Sequence, residues 1–206
     1  MRLYSMPSSG NSYKVRLLLA LLGRDCEIVD VEYQTEALDQ ARAQGRLPFG
    51  KAPVLELDDG RLLPESNAIL WWLGEGTRFV PADAFARAEM ASWMFWEQNQ
   101  HEAVIAVRGA LAYYPHRRAL ATPERMAELL ERGHALLQIM EDRLDGRDWL
   151  VGDGPTLADL CLYGYTHTAG SRSGFDMARF PALNRWLDRI AGLPGYVGLE
   201  AVSYTH

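Results

Sequence analysis

Residues 51–73 read KAPVLELDDGRLLPESNAILWWL, and they combine a proline, a hairpin signal and a helix start in 23 residues. Pro53 stands before a run of Val54, Leu55 and Leu57. Proline is tolerated in a sheet at strand starts and edges, so Ala52–Leu57 is expected to be a strand that begins at Pro53. Asp58-Asp59-Gly60 is a hairpin turn signal, which returns Arg61–Leu63 antiparallel. Ser66 then reads as the cap of a helix through Ile69, Trp72 and Leu73, closed by Gly74 and Gly76.

The residues before this stretch supply the rest of a small sheet. Arg2–Met6 is a short strand candidate that stops at Pro7. Val15, Leu18, Leu19 and Leu22 recur at helical spacing from Ser12 onward, and Gly23 ends the run. Cys26–Val31 is rich in β-branched residues and predicts a strand, and residues 34–46 predict a short, irregular helix. The order is β-α-β-α-β-β-α, a mixed four-stranded sheet with helices on its faces.

Beyond the stretch the pattern changes. Thr77–Ala84, with Pro81, reads as a linker. Ala84–Tyr114 predicts one long helix ended by Pro115, and Pro123–Leu144 a second whose apolar face runs through Leu129, Leu137 and Met140. Thr156-Leu157-Ala158-Asp159 opens a further helix as a capping box, with Asp in place of the commoner Glu or Gln. Pro181–Ile190 is the last clear helix. Two domains are expected: 1–76, α/β, and 84–206, all-helical.

Bulk composition narrows the function classes. The chain has 206 residues, 48% of them hydrophobic, and a formal net charge of -6. An acidic chain has no general attraction for nucleic acid or for an anionic membrane. Its two cysteines, Cys26 and Cys161, are expected in the core rather than in a disulfide framework. With no long apolar run near its start, the chain is expected to be cytoplasmic.

Three segments, FGKAPVL (49–55), LPESNAILWWL (63–73) and WLVGDGPTLADLCLYGYTH (149–167), closely resemble the cytosolic glutathione S-transferases. The resemblance spans nearly the whole chain. It implies a thioredoxin-like first domain, an all-helical second domain and a homodimer, in which Phe49 matches an aromatic knob that some classes dock into the partner. It also implies a detoxifying transferase that uses glutathione as co-substrate and a small hydrophobic electrophile, with no other cofactor.

Glutathione carries a carboxylate and an ammonium at one end, a second carboxylate at the other and a thiol between. The resemblance places the first carboxylate on Ser66 and the amides of the helix start, where the helix dipole favours an anion. Glu65 would meet the ammonium, Ala52 would offer its backbone before a cis Pro53, and Lys51 would reach the glycyl carboxylate. Each residue also has an ordinary structural role: cap, first-turn acid, edge proline, surface lysine.

The thiol needs help, because a free thiol with a pKa of about 8.5 is only slightly ionised at neutral pH. Hydroxyl or amide donors and a helix amino terminus stabilise the thiolate. Ser9, Gly10, Asn11 and Ser12 stand at such a terminus. Ser9 aligns with the catalytic serine of theta- and zeta-class enzymes, and Asn11 with the asparagine that contacts sulfur in bacterial Nu-type proteins. Both are candidates, with Ser9 first for conjugation. Ser8 and Ser12 follow, Ser12 being better placed as a helix cap.

A tyrosine-type enzyme would need a phenol where Ser5 stands, and a cysteine type a thiol in the turn, where there is none. The zeta motif has a cysteine where this chain has Asn11, which speaks against maleylacetoacetate isomerisation. Trp96, His101, Arg108, Tyr113 and Tyr114 are candidates for the electrophile pocket, while Trp93 is expected in the core or an interface. No histidine spacing suits a metal site. Two rival functions are glutathione-dependent disulfide reduction, as in the Nu type, and a non-catalytic binding protein on the same scaffold.

Overall fold

The structure, a computed structural model, describes residues 1–200. The chain forms two compact units, one of Met1–Thr77 joined by the segment from Ala191 onward, the other of Arg78–Ile190. The expected second domain, 84–206, therefore differs at its end: from Ala191 the chain packs with the first unit, and residues 201–206 lie outside the described residues.

The first unit contains β1 (Arg2–Ser5), α1 (Gly10–Leu21), β2 (Glu27–Asp30), α2 (Glu36–Ala43), β3 (Val54–Glu56), β4 (Leu62–Pro64) and α3 (Ser66–Gly74). The strands form one sheet in the order β2-β1-β3-β4. β1 and β2 are parallel across the α1 crossover, and the β1–β3 and β3–β4 pairs are antiparallel. This is the mixed sheet of the thioredoxin-like expectation.

Register decides what the sheet can present. Val54 pairs with Tyr4 on one side and with Pro64 on the other. β1 leaves this row through Ser5, β4 leaves it through Glu65, and β3 enters it from Pro53. The residues around Ser9, Ala52 and Ser66 are thus delivered to one end of the sheet by strand direction alone.

α1 is buried on nearly every side, and Tyr13, Val15, Leu17 and Leu18 are fully buried. Each such side chain contributes about 1.5–3 kcal/mol relative to exposure. α1 packs on α3. The returning segment comes close to its far end: Gly195 has φ +86, and a Cβ there would lie 3.1 Å from the Ala20 carbonyl oxygen. Glycine is suited to both the angle and the approach. Cys26 is not in the core. It is half-buried at the start of β2, with its thiol pushed up to about 11 by that burial. Cys161 is fully buried as expected.

The second unit contains α4 (Ala84–Trp96), α5 (Val107–Tyr113), α6 (Pro123–Leu144), α7 (Leu157–Thr166) and α8 (Pro181–Ala191). The long helix expected over 84–114 is continuous but not uniform, because Glu97–Ala106 between α4 and α5 is π-helical. Within this wider segment Glu97 is fully buried and accepts from Cys161 Sγ at 3.2 Å, and His101 Nε2 lies 3.0 Å from Thr166 Oγ1.

The capping box of α7 is present. Asp159 is fully buried and accepts from the Leu150 and Thr156 amides, the Thr156 hydroxyl and Trp186 Nε1, at 2.8 to 3.0 Å. Burial pushes its carboxyl above the ordinary value, against the pull of those four donors. One acid thereby joins the Trp149–Gly152 region, the α7 start and α8. No helix among the described residues is long and apolar enough to cross a membrane.

Candidate functional site

The turn between β1 and α1 carries Ser9 and Asn11. Ser9 is the N-cap of α1: its φ is −87 and ψ is 129, and its Oγ accepts from the Ser12 amide at 3.4 Å. Ser12, expected as the better cap, lies inside the helix instead. It is fully buried, and its Oγ accepts from the Met6 amide at 2.9 Å, bracing the turn from within. Ser8 gives its amide to Glu32 Oε2 at 3.0 Å.

The start of α3 differs in detail from the sequence reading. The N-cap position belongs to Glu65, not Ser66, and Glu65 makes no side-chain cap bond. Its φ is +71, a left-handed value that a residue with a Cβ adopts at a cost of about 1–3 kcal/mol. That conformation lets the chain leave β4 and enter α3 without an intervening loop. Ser66 is the first helical residue and is buried, and its Oγ donates to Asn11 Oδ1 at 3.2 Å. The amino termini of α1 and α3 are therefore bonded to each other, through residues 55 positions apart.

The Ala52–Pro53 peptide is cis. Pro53 is buried, Ala52 is half-buried against the cluster of Tyr4, Val31, Leu38 and Val54, and Lys51 is exposed. The backbone of Ala52 thus sits at the entry of β3, beside the row that also ends in Ser5 and Pro64. Glu65 is exposed.

Three residues absent from the sequence reading also hold this end of the sheet. Arg16 donates from Nη1 to Ser5 Oγ at 2.7 Å and to the Met6 carbonyl at 3.4 Å, and from Nη2 to the Pro7 carbonyl at 3.1 Å. Glu32 takes the Ser8 and Tyr33 amides. Tyr13 donates its hydroxyl to the Val197 carbonyl at 2.8 Å. The available signal was charge inside an apolar run: Lys14 and Arg16 interrupt the leucine-rich face of α1, and both are buried.

Among the candidates for an electrophile pocket, the Trp96 and His101 rings lie 5.8 Å apart and the Tyr113 and Tyr114 rings 5.1 Å apart. His101 is fully buried against Thr166, so it is part of the interior of the second unit. Arg108 is pinned between the Ser173 and Met126 carbonyls, at 2.6 and 2.5 Å. Burial holds its guanidinium below the ordinary value. Trp93 is half-buried and meets Trp96 edge to face at 5.4 Å. Tyr113 is exposed, with the Arg172 guanidinium 4.5 Å from its ring centre.

This end of the sheet gathers a capped helix start, a cis-proline strand entry and an acid–serine helix start. Family models for the glutathione S-transferase N-terminal and C-terminal domains match residues 3–77 and 104–194. The chain belongs to the glutathione S-transferase family. It is 32% identical to Glutathione S-transferase 3 of Zea mays, over 95% of this chain and 91% of that one. It is 26% identical to the disulfide-bond oxidoreductase YfcG of Escherichia coli, over 93% and 90%. Among solved structures, a possible glutathione S-transferase from Rhodopseudomonas palustris superposes with a TM-score of 0.91 at 41% identity, covering 98% of each chain.

Proposed function

We propose that the protein is a glutathione transferase that ionises the glutathione thiol at the amino terminus of α1 and directs it at a small hydrophobic electrophile. The observation that carries this reading is the Ser66–Asn11 hydrogen bond, which ties the carboxylate end of the site to the thiol end. Family membership supports it.

The γ-glutamyl carboxylate lies on the first amides of α3, where partial positive charge collects. Because Ser66 gives its hydroxyl proton to Asn11, its own contribution to the carboxylate is its backbone N–H. Glu65 meets the ammonium. The Ala52 backbone pairs with the cysteinyl unit, as a strand would, and Lys51 meets the glycyl carboxylate as a mobile point charge.

At the thiol end, Ser9 Oγ accepts the Ser12 amide, which leaves its hydroxyl proton to donate to sulfur. Asn11 Oδ1 accepts from Ser66, so a donation from this side chain to sulfur comes from Nδ2. The sulfur loses its proton to solvent. Its lone pair then forms the carbon–sulfur bond as the electrophile's leaving group departs with the bonding pair. Glutathione is the co-substrate, and no further cofactor enters the step.

Disulfide reduction is the second reading, favoured by the likeness to YfcG and by Asn11 in the turn. One glutathione thiolate attacks a disulfide sulfur and expels a thiolate. A second glutathione resolves the mixed disulfide, leaving glutathione disulfide and two product thiols, and no protein cysteine is needed.

A thiolate absorbance titration of bound glutathione tests the activation step. Ser9→Ala is expected to raise the bound thiol's pKa by about one unit and to lower kcat about tenfold on an aryl halide. If only Asn11→Ala moves the titration, the serine assignment is wrong and the disulfide reading gains. Turnover on an aryl halide against turnover on a glutathione mixed disulfide then separates the two reactions.

The reading includes a cytoplasmic, detoxifying homodimer. The homodimer is supported by the exposure of aromatic rings: Phe49 is 65% and Phe95 75% exposed. Sedimentation at micromolar concentration should show twice the mass of the chain, with Phe49→Ala shifting the balance toward the single chain. A wild-type protein that sediments as one chain would remove the homodimer from the reading.

A further inference from the structure

We propose that Arg16 is a positioning residue that couples the segment 195–200 to the thiol-activating turn, so that the carboxyl-terminal segment tunes the glutathione thiol. The proposal rests on the reading above that this turn receives the sulfur.

Four acceptors surround one guanidinium. Ser5 Oγ ends β1, the carbonyls of Met6 and Pro7 belong to the turn, and the fourth is the Leu199 carbonyl, 3.3 Å from Nη2. One planar, forked cation thus bridges the turn to Leu199, which is 183 positions from Arg16 itself. One α-helical turn earlier, Tyr13 fastens the same segment by its hydroxyl to the Val197 carbonyl. Gly195 lets that segment lie against Ala20 at the far end of α1. The segment therefore lies along α1, held by two hydrogen bonds and closely approached at Gly195.

The amides of the same turn are held as well. Glu32 Oε2 takes the Ser8 amide, and Ser12 Oγ takes the Met6 amide. Cation on carbonyls and anion on amide grip Met6–Ser8 in opposite senses, and Ser9 follows directly. A one-ångström movement of this turn is enough to misplace a donor to sulfur. The buried positive charge also favours a nearby thiolate. The acidic groups whose fields reach Arg16 are Asp30, Glu32 and Glu200, with Tyr13 beside it. Lysine cannot replace this arrangement, because its point charge has no planar fork to span four acceptors.

The test measures the bound-thiol titration, kcat, and KM for glutathione in Arg16→Lys, Tyr13→Phe and the double variant. Arg16→Lys is expected to raise the thiol pKa by about one unit and to lower kcat about tenfold, with KM changed by less than about twofold. Tyr13→Phe, which removes the hydroxyl bonded to the Val197 carbonyl, should move the titration in the same direction by a smaller amount. The double variant should add little to Arg16→Lys, because both act through one contact chain.

A lowered melting temperature with an unmoved titration would make Arg16 merely structural and overturn the proposal. So would a rise in KM with no thiol shift. If Arg16→Lys fails to fold, Tyr13→Phe alone decides: an unmoved titration in that folded variant is also fatal. A wild-type protein that binds glutathione without lowering its thiol pKa would take down the activation reading itself, and this proposal with it.

Discussion

Glutathione affinity should fall by about ten- to a hundredfold when Glu65 is replaced by alanine. Glu65 would give the ammonium of glutathione a charge-assisted hydrogen bond, worth about 1.5–3 kcal/mol. Its exposed side chain makes no cap bond to α3, so that loss is not masked by a collapse of the helix start. Backbone strain can be separated from charge. Glu65→Gly relaxes the φ of +71 yet also removes the carboxylate, so it should bind as weakly as Glu65→Ala. Ser66→Ala keeps the backbone N–H and loses the bond to Asn11, so a smaller weakening, about three- to tenfold, is expected. Titration calorimetry reads all three. Wild-type affinity in Glu65→Ala would remove this residue from the site.

The largest expected loss of stability lies in the other unit. Asp159→Ala should destabilise the Arg78–Ile190 unit by about 3–5 kcal/mol, a large part of what a domain of this size possesses. The substitution leaves the amides of Leu150 and Thr156 and the Trp186 ring N–H without their acceptor in a place water does not reach. Each such group costs about 1–3 kcal/mol. It also removes the half of the capping box that holds the Thr156 amide. Asp159→Asn preserves the shape but turns an N–H₂ toward donors, so it should recover only part of the loss. Denaturant unfolding followed by tryptophan fluorescence reports on the event directly, since Trp186 is one of the partners. A midpoint within error of wild type would show that the four bonds are dispensable.

Much of the fold was legible because its signals are local. Pro53, Asp58-Asp59-Gly60 and Gly74 mark boundaries whatever the surroundings, and α6 spans Pro123–Leu144 as its apolar face predicted. The β-α-β-α-β-β-α order followed, and strand direction then brought the site segments to one end. What could not be read was set by tertiary contact. A serine before a helix looks like a cap, but here the preceding Glu65 takes the turn at positive φ, freeing Ser66 to bond across to Asn11. Ser9 rather than Ser12 caps α1, because Ser12 lies inside the helix and takes the buried Met6 amide. His101 looked like a pocket residue on a polar stretch, yet Thr166 draws it inside. The return of the segment after Ala191 leaves no periodic trace, since its anchors are backbone carbonyls.

The π-helical segment Glu97–Ala106 carries a further consequence. A ladder of i→i+5 bonds holds one more residue per hydrogen-bonded loop than the α-helical ladder on either side. Each residue stored this way turns everything after it by about 100° around the axis. Arg108 meets Ser173 and Met126, and Gly109 lets Ser173 approach, only at the present phase. The segment acts as a rotational offset between two halves of one rod: its chemistry can drift, but its length cannot. Losing one residue would leave a perfectly good α-helix whose second half faces the wrong neighbours.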